Sequence, residues 1–284
     1  MTADSSEGHS EALPDQPKSI EKPEAGTRLS AAEIHDNVLG PAEKELERPT
    51  SSLWWSAFAS GLTIGFSFLF GGFAQTLVPE QYAHAMAGLA YPIGFAFVIF
   101  ARSELFTENT LEPVIPLLHK RDRETLTKVL HLWSVLLIGN LIGAAIFALA
   151  LAHTAIVPNA DIAARLRAMA ERTTGDDFGL TILRGVMAGW LIALLTWLLA
   201  STQEAISHLV LIWLTTAPIA WLDFRHSIVG SVEAFYLVWR NLASIGSLVG
   251  FIVPAVIGNA IGGVVLVALL NYGQVHRERG DAAK

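Results

Sequence analysis

Two short polar runs cut into otherwise apolar sequence, SELFTENT from Ser103 to Thr110 and LDFRHSIV from Leu222 to Val229. Their residue types suit the handling of protons and anions. His226 is a side chain whose proton affinity lies near physiological pH, so it can exchange a proton with a weak acid. A threonine hydroxyl, as at Thr107, can hold such a ring in one orientation. Charged residues gather around the same runs: Arg102, Glu104, Glu108, Asp223 and Arg225, with Arg184 and Glu233 further off. In apolar surroundings such charges are expensive and are kept where they pair or line a pathway. For Glu104, Glu108 and Arg225 the alternatives are a charge pair, such as Glu108 with Arg225, or contact with a substrate. The plain alternatives for the other two are a buried histidine satisfied by a backbone carbonyl and a threonine bonded to its own helix.

Hydrolysis by Ser227 or Ser231 with His226 is disfavoured. Neighbours in one loop are poorly placed as nucleophile and base, and the chain has no GxSxG elbow or HExxH motif. It also has no cysteine. His84, His119, His131, His153, His208 and His276 show no metal-ligand spacing. No enzymatic activity, metal or cofactor is expected.

The elements that position these residues are membrane spans. Over 284 residues, 52% are apolar and 16% charged, and the mean hydropathy is +0.45. Apolar stretches run over 54–78, 85–101, 129–152, 178–200, 205–222 and 246–271, each near the roughly 20 residues that cross hydrocarbon. Six spans are therefore expected, the second and fifth interrupted by the two polar runs. The first begins too late and runs too long for a cleavable signal peptide. Of the formal charge of −7, residues 1–50 supply most, with eleven acids to five bases. Such an acidic leader offers nothing to nucleic acid. Its first part is too polar and too rich in Pro, Gly and Ser to order itself. A short capped helix near 30–40 follows, with Ser30 and Glu33 as a capping box, Leu29 and Ile34 as a staple, and Gly40-Pro41 as its end. The division is a leader over 1–50, a transmembrane domain over 51–272 and a tail over 273–284. Lys120, Arg121, Arg123, Lys128, Arg277 and Arg279 fall on the side of the leader, which places both termini in the cytoplasm of an inner-membrane protein.

An internal repeat orders the spans. IGNLIG from Ile138 recurs as IGNAIG from Ile257, an offset of 119, and GLTI from Gly61 recurs from Gly179, an offset of 118. Three spans per copy force the copies into opposite orientations, the inverted-repeat plan of many channels and transporters. The offset of 119 maps Thr107 onto His226. Two broken spans in corresponding positions mark a permeation site, where half-helix N-termini present free N–H groups to an anion.

The chain resembles the formate/nitrite transporter family in ELFT at Glu104 to Thr107, HSI at His226 to Ile228 and PAVIGNAIGG at Pro254 to Gly263. The resemblance covers about residues 50–272. It implies an all-α, aquaporin-like fold, a homopentamer in the lipid bilayer with one pore per protomer, and a small weak-acid anion such as formate or nitrite as substrate. It also implies that Leu105 and Phe106 line a constriction, with Thr107 facing His226 near the pore centre. Four positions depart from the family pattern. Glu108 stands where a small residue is usual, Arg225 where a formate channel commonly has an acid, Thr173 where a vestibule lysine is common, and Gly189 where a span carries asparagine. Two other functions remain open: an aquaporin-like pore for neutral solutes, and a scaffold without transport whose leader recruits a soluble partner of unknown kind.

Overall fold

The computed structural model describes residues 28–157 and 159–282, the side chains of 279–282 excepted. The segment expected to be disordered lies largely outside them. Helix α1 spans Ala31–Glu45 and begins at Ser30, whose hydroxyl accepts the Glu33 N–H while the Glu33 carboxylate accepts the Ser30 N–H. These contacts hold the exposed Glu33 carboxyl below its usual range. The helix runs straight through Gly40-Pro41 instead of ending there. Proline removes one helical hydrogen bond, but Val38 and Ala42 are buried on either side of it. Val38 packs into a cluster with Leu111, Val114, Ile115 and Trp197, which holds the helix across the defect.

The spans follow as α2 (Thr50–Thr63) continued by α3 (Gly65–Gln75), α4 (Glu80–Ala90) continued by α5 (Pro92–Phe100), α6 (Val114–Lys120), α7 (Arg123–His153), α8 (Ala160–Thr174), α9 (Phe178–Leu199), α10 (Ala205–Trp221), α11 (Ser227–Trp239), α12 (Ile245–Gly263) and α13 (Leu270–Ala282). Among the described residues, five helical stretches are long and apolar enough to cross a membrane, and the shorter apolar helices α10 and α11 together supply the sixth crossing. The chain is an integral membrane protein built as two inverted three-span repeats. On α12, Ile245, Val249, Val253, Ile257 and Ile261 remain exposed, and Val265 extends the row just past its end. At a spacing of four this apolar row winds slowly around the helix as surface that a lipid or a neighbouring protein covers.

Both broken spans reverse in the same way. Helix α5 ends at Arg102 (φ 53°) and α10 at Asp223 (φ 51°), each left-handed. The next amide reaches back in each case, Ser103 N–H to Val98 O at 3.1 Å and Phe224 N–H to Ile219 O at 2.8 Å. This is a helix-terminating Schellman turn. From it the chain folds back into the middle of the bundle and leaves again, through α6 in one copy and α11 in the other.

Buried asparagines of the repeated IGN motif fix both loops. Asn140 Oδ1 accepts the Phe106 N–H at 2.8 Å, while its Nδ2 donates to Ala57 O and Glu104 O. Asn259 Oδ1 accepts the Ser227 N–H at 2.8 Å, while its Nδ2 donates to Gly185 O and Arg225 O. These bonds correct the register read from the sequence. Phe106 corresponds to Ser227, an offset of 121, so Thr107 and His226 meet without being repeat partners. The GLTI match is accidental, because Gly61 packs on the Asn140 backbone and its counterpart on Asn259 is Gly189. A Cβ at either glycine would run into backbone of the facing span. Gly189 is thus a close-packing position of α9.

Candidate functional site

His226 is the N-cap of α11. Its Nδ1 accepts the N–H groups of Ile228 at 3.3 Å and Val229 at 3.2 Å. Backbone N–H groups only donate, so Nδ1 is the bare ring nitrogen and Nε2 carries the hydrogen. That hydrogen goes to Thr107 Oγ1, 2.8 Å away. Both residues are buried, and Phe95 meets the imidazole edge to face at 5.0 Å. One ring therefore closes the start of one half-helix and joins the two loops. A second proton can enter the ring only at Nδ1, where it would expel both cap bonds and place a cation at the positive end of the α11 dipole. The geometry makes His226 a fixed neutral donor.

Leu105 and Phe106 sit beside this bond and are fully packed, Phe106 edge-on to Trp133. On the α1 side of the pair the charges are mostly acidic. Glu104 receives Arg48 at 2.8 Å, and Arg48 also holds Glu45 at 2.8 Å. Burial pushes the Glu45 carboxyl up, the Arg48 hydrogen bond opposes this, and the neighbouring Glu104 charge adds to the rise. Asn109 Nδ2 donates to Glu104 Oε2, and Glu108 Oε1 is buried without a hydrogen-bond partner.

On the α8 side a cavity of about 120 Å³ opens against His226, lined among others by Tyr91, Arg172, Thr173, Arg225 and Glu233. Arg225, 2% exposed, donates through Nε to Asp176 Oδ2 at 2.7 Å and through a terminal nitrogen to Arg172 O at 2.9 Å. Arg184 binds the same Asp176 at 2.8 Å. Of the alternatives for Glu108 and Arg225, their pairing with each other does not form. The two loops leave the centre in opposite directions, and Arg225 finds its partners at its own end of the bundle. Glu104 likewise serves an ion pair with Arg48. Thr173 lines the cavity.

Asp176, Asn140 and Asn259 do much of the positioning, yet none was singled out from the sequence. The repeated IGN contained the signal for the two asparagines, since a polar residue at the same point of two apolar spans has to find hydrogen-bond partners. Asp176 had no comparable signal, being one of several acids in an extramembrane loop.

A family model described as formate/nitrite transporter matches residues 32–273. The Escherichia coli K12 inner membrane protein YfdC is 33% identical over 274 residues, covering 94% of this chain and 86% of its own. The Bacillus thuringiensis formate channel BtFdhC is 23% identical over 258 residues, covering 88% and 96% respectively. A solved pentameric formate channel with formate bound superposes with a TM-score of 0.65 at 19% identity, covering 80% of this chain and 97% of that one. That likeness is one of fold.

Proposed function

The chain belongs to the formate/nitrite transporter family, and from that membership we propose that it conducts small weak-acid anions, formate, nitrite or related monocarboxylates, through one pathway in each protomer. The observation that carries this reading is the buried 2.8 Å hydrogen bond between Thr107 and His226, at the meeting point of two broken spans and open on one side to a polar cavity. A bare anion crosses such a buried centre at a cost of several kcal/mol or more, whereas its neutral acid does not. Permeation is therefore linked to a proton. His226 contributes by holding Thr107 through its Nε2–H, which leaves the Thr107 hydroxyl hydrogen for the passing acid, while Leu105 and Phe106 exclude hydrated ions. Arg172 and Arg225 gather anions in the cavity.

The solved relative is pentameric, and the exposed apolar stripe of α12 is available for packing against a neighbour. We take this chain to be a homopentamer in the inner membrane with both termini cytoplasmic. The test uses purified full-length chain in liposomes carrying an internal pH dye. Inward gradients of formate, nitrite, acetate and lactate should acidify the lumen faster than in empty liposomes, and faster still at lower external pH. The native mass of the same preparation should be five times that of one chain. Passage of glycerol or water without any acid flux would replace this reading with a neutral-solute pore, and passage of nothing with a scaffold.

A further inference from the structure

The cavity beside His226 contains a carboxyl group that the reading above leaves without a task. Glu233 lies on α11 and is 3% exposed, and its Oε2 is buried with no hydrogen-bond partner. An ionised carboxylate accepts at both oxygens, and burying one oxygen unpaired is expensive. The cation whose field reaches Glu233 is Arg225. Arg225 spends its Nε on Asp176 and one terminal nitrogen on the Arg172 carbonyl. Glu233 thus lines the cavity with one buried oxygen that no donor meets, an arrangement that favours its neutral acid form.

We propose that Glu233 is the group that protonates the anion on the α8 side of the pathway. The step rests on the weak-acid reading and balances in atoms and charge. The O–H bond of Glu233 breaks, an O–H bond forms on the carboxylate or nitrite oxygen, and the charge moves from substrate to Glu233. Formal charges around the cavity fit this exchange. Arg172, Arg184 and Arg225 outnumber Asp176 and Asp223 by one, which leaves a single positive charge. With Glu233 protonated, the incoming anion balances it. After the transfer the Glu233 carboxylate does so, and the neutral acid is free to move past His226.

Other groups facing Glu233 do not compete for the proton. Tyr91, from the α4–α5 junction, is a weaker acid than a carboxylic acid. His84 accepts from Arg172 through Nδ1 and meets the Trp221 carbonyl through Nε2, so both ring nitrogens are occupied. Glu80 pairs with Arg165 at the rim. Helices α3 and α12 carry no titratable side chain, and those of α7 sit toward its two ends.

The test compares wild type with Glu233→Gln and Glu233→Asp in the liposome assay. Gln keeps the shape of the side chain but has no proton to give. Formate-driven acidification in Glu233→Gln should fall roughly a hundredfold, the low end of what a positioned acid contributes, and lose its dependence on external pH. Glu233→Asp should restore part of both. An unchanged rate and pH profile in Glu233→Gln, with wild type active, would overturn the role of Glu233 and leave the channel reading intact. Inactive wild type would overturn both. If Glu233→Gln fails to assemble, infrared difference spectra of wild type decide. Adding formate should remove the C=O band of one protonated carboxyl, at a position that shifts in Glu233→Asp, and an unaltered band overturns the proposal.

Discussion

At the residue scale, His226 performs two tasks that substitution can separate. As N-cap it closes α11 through Nδ1, and as donor it holds Thr107 through Nε2. Asparagine is a good N-cap, so His226→Asn should unfold near the wild-type temperature. Alanine loses the cap and should cost about 1 kcal/mol. Both changes should slow acid flux, and a rate left unaltered in His226→Ala would remove the histidine from the mechanism. The sequence pointed to this residue through its place in a broken span. Its capping role could not be read there, because Ser, Thr, Asp and Asn are the usual signals. The pairing of Glu108 with Arg225 failed for a related reason. Sequence shows which charges lie near the membrane, but Asp176, 49 residues from Arg225, is the partner that folding supplies.

At the scale of elements, each polar loop is held to its own repeat by one asparagine making three buried hydrogen bonds. Asn259→Ala would orphan the Ser227 N–H and the carbonyls of Gly185 and Arg225. Each unsatisfied buried group costs about 1–3 kcal/mol. The expected result is a fall of several degrees in the melting temperature together with loss of acid flux. A variant that melts and conducts like wild type would show that the loop is held by other means. The repeat was legible because IGN recurs, and so were the broken spans. The register was not, since a four-residue match such as GLTI arises by chance and the reversals use Arg102 and Asp223 where glycine would have announced a left-handed turn. The end of α1 was misplaced because burial of Val38 and Ala42 outweighs the local effect of Pro41.

At the scale of the molecule, composition was enough for the membrane class and the number of crossings, because apolar length is a local property. The contrast between an acidic end and an arginine-bearing end was hidden, since it depends on which acids are consumed by ion pairs. The asparagine clips carry one more implication. Asn140 binds only α2 and the loop that follows α5, while Asn259 binds only α9 and the loop that follows α10. Neither clip crosses the boundary between repeats, whereas the bond from Thr107 to His226 does. During synthesis the earlier repeat can therefore set its loop before the later one leaves the ribosome, and docking of the two completes the pathway last. It follows that two polypeptides, cut after Val157 and made together in one cell, should find each other in the bilayer and recover acid flux. If the pieces are degraded or stay apart, the repeats depend on each other from the outset.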